Sequence, residues 1–130
     1  MNQEKIYDLV IAGAGPAGIS AAIYGARKGL DLLVVTEDIG GQTNWSMGIE
    51  NYMGFQMITG AELVDKFADH TKRYGIKIKE QEPLVELITE GRLLTVKTTG
   101  GAYMARTMIV ATGKTYKKLQ VPGEDEFHSK

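Results

Sequence analysis

The sequence predicts an α/β fold, in which a parallel β-sheet carries a small antiparallel β-meander. An apolar run at residues 6–12 leads through a glycine-rich turn into an alanine-rich segment and a second apolar run at residues 31–36, which is the order of a β–α–β unit. Three alternating runs at residues 84–107 are separated by Glu-Gly and Gly-Gly turns, as in a meander. The apolar residues 108–111 predict a last buried strand.

The elements between these strands are predicted from signals at their ends. The alanine-rich residues 19–28 predict a helix that ends at Gly29. Residues 39–58 lack periodicity but contain several aromatic side chains, which favours a functional loop over a disordered one. Thr59 and Glu62 have the spacing of a capping box, so a second helix is predicted to begin there.

The second predicted helix places apolar residues at helical spacing, and we expect Phe67 and Tyr74 in the core. Gly75 ends this helix, and the alternating residues 76–79 predict a short strand with lysines on its solvent face. After the last strand, a Val-Pro-Gly sequence and several charged residues are typical of a linker.

Composition limits the functions that the chain can have. The 130 residues carry a formal net charge of −1, with 43% hydrophobic and 24% charged residues, so we expect one globular domain and no nucleic-acid partner. No apolar run approaches the roughly 20 residues that span a bilayer, and the first residues do not resemble a signal peptide, so we expect no membrane partner and a cytoplasmic location. The chain has no cysteine, which excludes a Cys-x-x-Cys redox centre within it.

The most informative motif is Gly13-x-Gly15-x-x-Gly18, between the first strand and the first helix. In such a motif the first glycine permits a tight turn, the second lets a pyrophosphate approach the backbone, and the third lets the helix pack closely on the strand. Free amides at the helix N-terminus then face the phosphates. This context predicts a Rossmann-like dinucleotide-binding domain rather than a glycine-rich turn without a ligand.

An acidic residue after the second predicted strand supports the same interpretation. Glu37 follows the motif by about 20 residues, where a carboxylate binds the ribose 2′-hydroxyl of an adenine nucleotide. Asp38 is the alternative for this role, and the spacing favours Glu37. Because a carboxylate disfavours a 2′-phosphate, the predicted ligand is FAD or NAD, and the motif does not choose between them.

Six motifs stand in order along the chain: Gly13-Ala14-Gly15-Pro16-Ala17-Gly18, Ala22-Ile23-Tyr24-Gly25-Ala26-Arg27, Gly40-Gly41-Gln42, Ile49-Glu50-Asn51-Tyr52, Ala111-Thr112-Gly113 and Val121-Pro122-Gly123-Glu124. With these motifs the chain resembles the thioredoxin reductase and alkyl hydroperoxide reductase flavoprotein family, which are class II pyridine nucleotide-disulfide oxidoreductases. The resemblance covers essentially the whole chain. It implies that the cofactor is FAD.

The resemblance also implies which residues bind the cofactor. In the family the glycine-rich turn binds the pyrophosphate, while the Gly-Gly-Gln turn and the Asn of Glu-Asn-Tyr lie against the ribityl chain and isoalloxazine. The Ala-Thr-Gly segment passes near the cofactor, and we expect the backbone near Glu82 to contact the adenine. The expected cofactor-binding residues are Gly13, Ala14, Gly15, Pro16, Ala17, Glu37, Gly40, Gly41, Gln42, Asn51, Glu82, Ala111, Thr112 and Gly113.

The family continues after Val-Pro-Gly-Glu into a nicotinamide-binding domain, commonly with a Cys-x-x-Cys pair, and then returns to complete the flavin domain. We therefore expect residues 1–130 to be the N-terminal part of the FAD-binding domain, a fragment without the NAD(P)H domain and the C-terminal return segment. The full-length parent is expected to pass electrons from NAD(P)H through FAD to a disulfide, as a homodimer with a thioredoxin-like or peroxiredoxin-type partner. The fragment alone is expected to be inactive.

Two alternatives remain open. The chain could be the FAD-binding part of a ferredoxin- or flavodoxin-NADP reductase, which lacks the cysteine pair, or a short non-catalytic module that binds a nucleotide. Met53 and Gln56 stand where the family often has proline, so the loop around them is predicted to be less rigid.

The sequence identifies no catalytic residue and no metal ligand. His70 is expected to be solvated, because no second metal-binding side chain lies four residues further along the helix. Trp45 is expected either to stack on the flavin or to cover the core beneath the loop.

Overall fold

The computed structural model describes residues 5–127. Within them the chain forms strands β1 (Ile6–Ala14), β2 (Leu32–Ile39), β3 (Lys77–Lys79), β4 (Leu84–Glu90), β5 (Leu93–Thr98) and β6 (Ala102–Val110). The helices are α1 (Pro16–Arg27), α2 (Gly60–Arg73) and the short α3 (Glu124–Phe127), and a 3₁₀ helix covers Gly41–Trp45. The strands form one hydrogen-bonded sheet in the order β3-β2-β1-β6-β5-β4.

The sheet has a parallel part and an antiparallel part, which meet at β6. Strands β3, β2, β1 and β6 run parallel, whereas β4, β5 and β6 form the antiparallel meander. Met104 and Ala105 pair with β1 on one side and with β5 on the other. The predicted division of this region into two strands, at residues 102–107 and 108–111, is therefore wrong. One continuous strand fixes the meander to the segment that follows β6.

Both faces of the parallel part are covered. On one face α1 packs on β1 and β2, where Ile11 and Val34 have no exposed surface. Helix α2 packs on α1 and on the 3₁₀ helix and adds Phe67 to this core. On the other face Val96 of β5 and Ala105 of β6 pack against Val10 of β1. Burial on both faces explains why β1 and β2 are continuous apolar runs instead of alternating ones.

Some boundaries differ from the prediction. Helix α1 begins at Pro16 and not at residue 19, because proline fits the first position of a helix. Strand β2 continues to Ile39, beyond the predicted residue 36. Tyr74 follows the last residue of α2 and is 43% exposed, so its predicted place in the core is wrong. Phe67 is half-buried and packs against the part of the core that α1 covers. The predicted linker contains α3.

The end of the long loop at residues 39–58 is held by backbone pairing just before α2. Ile49 and Ile58 form an isolated antiparallel bridge. The capping box is confirmed: the Glu62 N–H donates to Thr59 Oγ1 at 3.3 Å, and the Thr59 N–H donates to Glu62 Oε2 at 3.0 Å. None of the helices in the described residues is both long enough and apolar enough to cross a membrane.

Candidate functional site

A cavity of about 630 Å³ opens at the carboxyl-terminal ends of β1, β2 and β6. Strand β1 lies between the other two, and this edge of an open α/β sheet is where ligands bind. The cavity volume lies within the range of ligand sites, roughly 300–1,000 Å³. Its walls are the glycine-rich turn, the end of β2, the 3₁₀ helix, residues 83–84 and residues 111–115.

The fold brings most of the expected cofactor-binding residues to this cavity. Those that line it are Gly13, Ala14, Gly15, Pro16, Ala17, Glu37, Gly41, Gln42, Ala111, Thr112 and Gly113. Asp38, the alternative residue for the ribose, lines it as well. Gly40, Asn51 and Glu82 are not among the lining residues.

The glycines of the turn have different surroundings. Gly13 has a φ of +103°, and a Cβ there would overlap the carbonyl oxygen of Ala111. A Cβ at Gly18 would overlap the carbonyl oxygen of Gly13. At Gly15, by contrast, the nearest atom to such a Cβ would be the Gly40 oxygen, 3.9 Å away. The outer glycines therefore allow close packing, and the middle one leaves open space in front of the backbone.

The N-terminus of α1 presents free amides to this space. Ile19 is the first residue whose N–H bonds within the helix, to the Gly15 oxygen at 2.9 Å, so the amides of Ala17 and Gly18 have no intrahelical acceptor. Among the described residues no side chain caps this helix, and no acidic residue lies in its first turn. The partial positive charge of the helix end and these amides suit an anion such as a pyrophosphate.

Thr36 connects the glycine-rich turn to the end of β2, a role that the spacing of the motifs did not predict. Its buried hydroxyl accepts a hydrogen bond from the Ala14 N–H at 3.1 Å and donates one to the Asp38 carbonyl oxygen at 2.7 Å. These bonds fix the strand end at which Glu37 and Asp38 present exposed carboxylates to the cavity. The available signal in the sequence was one polar residue at the end of an otherwise apolar strand.

The opposite wall is held by Gln42. Its side-chain amide donates to the carbonyl oxygen of Lys114 at 3.3 Å, which joins the Gly-Gly-Gln turn to the segment after β6. Lys114 also lines the cavity, and its ammonium lies over the ring of Tyr116, 5.3 Å from the ring centroid. Trp45 lines the cavity and is 80% exposed, so it does not cover the core, which was one of its two expected roles.

The expected residues outside the cavity have other environments. Gly40 has a φ of +96°, and a Cβ there would overlap the Val64 side chain of α2. Asn51 is exposed in the long loop. The Glu82 N–H donates to the Thr36 oxygen at 3.0 Å, and the Glu82 carboxylate accepts a hydrogen bond from Tyr103 at 2.6 Å.

His70 is exposed, and its ring centroid lies 5.6 Å from that of Tyr74. Among residues 5–127 no group of three or more His, Cys, Asp or Glu side chains is arranged to hold a metal ion.

Comparison with known proteins identifies relatives of the whole chain. Residues 7–130 match the family model described as pyridine nucleotide-disulphide oxidoreductase. The thioredoxin reductase of Bacillus subtilis is 42% identical over 98% of this chain and 40% of its own length. An alkyl hydroperoxide reductase component of Escherichia coli is 37% identical over 100% of this chain and 26% of its own length. The crystal structure of T. acidophilum thioredoxin reductase matches with a TM-score of 0.87 and 39% identity, over 95% of this chain and 41% of that one. The chain thus spans about 40% of the length of the thioredoxin reductases it matches.

Proposed function

We propose that this chain, which belongs to the pyridine nucleotide-disulphide oxidoreductase family, forms the adenosine- and pyrophosphate-binding part of an FAD site in a flavoprotein reductase similar to thioredoxin reductase. Thioredoxin reductases of this family bind FAD and NADPH. One observation carries the proposal: the N-terminus of α1, the Glu37 carboxylate and the segment after β6 line one cavity at the carboxyl-terminal edge of the sheet.

Different residues of the cavity would bind different parts of this cofactor. The open backbone at Gly15 and the amides at the start of α1 would bind the pyrophosphate. Glu37 would accept hydrogen bonds from the adenine ribose. Gly41, Gln42 and residues 111–113 would lie along the rest of the cofactor, where small side chains let the backbone approach a flat ligand. The flavin supplies the redox chemistry, and this chain binds and orients it.

For the full-length parent we propose electron transfer from NAD(P)H through FAD to a disulfide. The names of the relatives, thioredoxin reductase and alkyl hydroperoxide reductase, support a thioredoxin-like or peroxiredoxin-type partner. The chain has no cysteine, so this proposal places the redox-active pair in another part of the parent. A homodimer belongs to the same proposal, because the family resemblance suggests it. A cytoplasmic location belongs to it as well, because it is the location expected from the sequence.

A titration with two matched nucleotides tests the proposed site. ADP-ribose is expected to bind to the chain, and 2′-phospho-ADP-ribose is expected to bind at least about tenfold more weakly, because the carboxylates after β2 repel the added phosphate. Isothermal titration calorimetry measures both affinities. The proposal fails if neither ligand binds, or if the 2′-phosphate makes no difference.

A further inference from the structure

Residues 81–84, here called the rim segment, lie beside the end of β2 and reach the wall of the cavity next to Glu37. The Gln81 N–H donates to the Glu37 carbonyl oxygen at 3.0 Å, directly beside the ribose-binding position. Pro83 and Leu84 line the cavity. If the ribose lies against Glu37, the base attached to it lies against this apolar part of the rim segment. The position of the rim segment therefore determines how well the base fits.

Tyr103 of β6 holds the rim segment through a hydrogen bond to the carboxylate of Glu82. The Tyr103 hydroxyl donates to Glu82 Oε2 at 2.6 Å, which is a short, charge-assisted hydrogen bond. The Thr98 hydroxyl lies 3.1 Å from the same oxygen. The Tyr103 hydrogen bond lowers the pKa of the Glu82 carboxyl, and burial, with that same bond, raises the pKa of Tyr103 to about 12. At neutral pH the pair is therefore in the protonation state that this hydrogen bond requires.

The turn between β5 and β6 holds the backbone of the same segment. The Thr99 hydroxyl donates to the Gln81 carbonyl oxygen at 3.1 Å, and the Thr99 N–H donates to the Pro83 oxygen at 3.3 Å. Gln81 has a φ of +58°, a left-handed conformation that residues other than glycine rarely adopt. Such a conformation persists only where the surroundings hold it, and the meander supplies these surroundings.

We propose that Tyr103, Glu82 and Thr99 are positioning residues for the base of the bound nucleotide. They hold Pro83 and Leu84 in the place where these residues form the wall against the adenine. Glu82 acts through its hydrogen bond to Tyr103 and does not itself touch the ligand. This inference rests on the proposed function of the cavity, and it gives the meander a role in base recognition.

The variant Tyr103→Phe tests the inference in the full chain. It removes the hydroxyl but keeps the ring and its edge contact with Tyr7, whose centroid is 6.4 Å away. We expect the affinity for ADP to fall about tenfold, while that for inorganic pyrophosphate, which has no base, stays unchanged. A second variant, Thr99→Val, should give the same result, a loss of ADP affinity with an unchanged affinity for pyrophosphate. The control is Thr95→Val in the same meander, because the Thr95 hydroxyl bonds to Met104 Sδ at 3.3 Å and not to the rim segment.

The outcomes separate this inference from the proposed function. If the wild-type chain binds ADP, and Tyr103→Phe and Thr99→Val bind it equally well, the positioning role is refuted and the nucleotide site stands. Equal losses of ADP and pyrophosphate binding would also refute it, because they indicate a general loss of structure. If the wild-type chain does not bind ADP, the proposed function fails, and the inference fails with it.

Discussion

Gly13 joins two segments of the site, because its lack of a side chain leaves room for the backbone of Ala111. In the variant Gly13→Ala, a Cβ would overlap the Ala111 oxygen at a residue whose φ is +103°. The left-handed conformation costs about 1–2 kcal/mol, and the overlap adds about 1–3 kcal/mol. We therefore expect the free energy of unfolding to fall by roughly 2–5 kcal/mol, as measured by urea denaturation.

Gly29 provides a matched control for this substitution. Its φ is +75°, but no heavy atom lies within 4 Å of the position of a Cβ there. Gly29→Ala should therefore lower the free energy of unfolding only by the cost of the left-handed backbone conformation, about 1–2 kcal/mol. If both variants lose the same stability, the turn and the segment after β6 are not in close contact.

Glu37 and Asp38 both line the cavity, and the spacing from the glycine motif favours Glu37 as the ribose ligand. We expect Glu37→Ala to weaken ADP-ribose binding by roughly 1.5–3 kcal/mol, the value of one hydrogen bond to a charged group. Asp38→Ala is the control and should have the smaller effect in the same calorimetric titration. An unchanged affinity in Glu37→Ala, or a larger loss in Asp38→Ala, would assign the ribose to Asp38 or to neither residue.

Residues whose roles follow from local spacing could be predicted from the sequence, and those that depend on distant partners could not. Gly13, Gly15 and Glu37 belong to a pattern that spans one β–α–β unit, so spacing was enough to place them at the cavity. Thr36 bonds to a residue 22 positions away, and Tyr103 to one 21 positions away. Their neighbours are set by the pairing of strands, which composition and spacing do not show.

At the scale of elements, the start of α2 connects the capping box to the cavity wall. The Gly60 N–H donates to the Ser46 oxygen at 2.8 Å, just after the 3₁₀ helix that lines the site. Thr59→Ala removes the side-chain cap of α2, and we expect it to lower the free energy of unfolding by about 1 kcal/mol at neutral pH. Thr115→Ala, at an exposed threonine outside helices and strands, should change it by less than about 0.5 kcal/mol.

The contribution of this cap should depend on pH. The backbone N–H and the side chain of Thr59 hold the pKa of the Glu62 carboxyl below its ordinary value of 4.5. The stability that comes from the ionised carboxylate is therefore complete above pH 4.5, and it is lost as the pH falls through the lowered pKa. The difference in stability between wild type and Thr59→Ala should shrink over that acid range. The variant keeps the Thr59 backbone N–H, so this pH dependence reports on the Thr59 hydroxyl, which donates to Glu62 Oε2 at 2.7 Å. A difference that stays constant with pH would contradict that hydroxyl bond.

Strand β6 shows why some elements could not be delimited from the sequence. Its first half alternates, because it pairs with β5 in the meander, whereas its second half is a continuous apolar run beside β1. The change of pattern predicts two strands, although the backbone continues through both environments. The other strands and α2 were predictable because each keeps one environment along most of its length.

At the scale of the whole molecule, the sheet has an exposed edge beside the cavity. Strand β5 pairs with β6 only as far as Ala105, and within residues 5–127 no strand covers that side of β6 beyond this point. Ile109 and Val110 are 40% and 61% exposed there, immediately before the residues that line the cavity. The chain spans about 40% of the thioredoxin reductases it matches, and we propose that it is part of a longer parent in which a further strand pairs with this edge.

This arrangement predicts that the two ends of FAD bind differently to the 130-residue chain. The walls for the adenosine and the pyrophosphate are present, whereas the wall beyond β6 is open, so the flavin end should gain little affinity. We expect FAD to bind within about tenfold of ADP, and to be lost during gel filtration, because most of its affinity would come from the shared ADP part. The full-length parent, under the same conditions, should elute yellow. If the 130-residue chain stays yellow and keeps its FAD through the column, these residues enclose the flavin without a further strand. The exposed edge of β6 would then need a different partner.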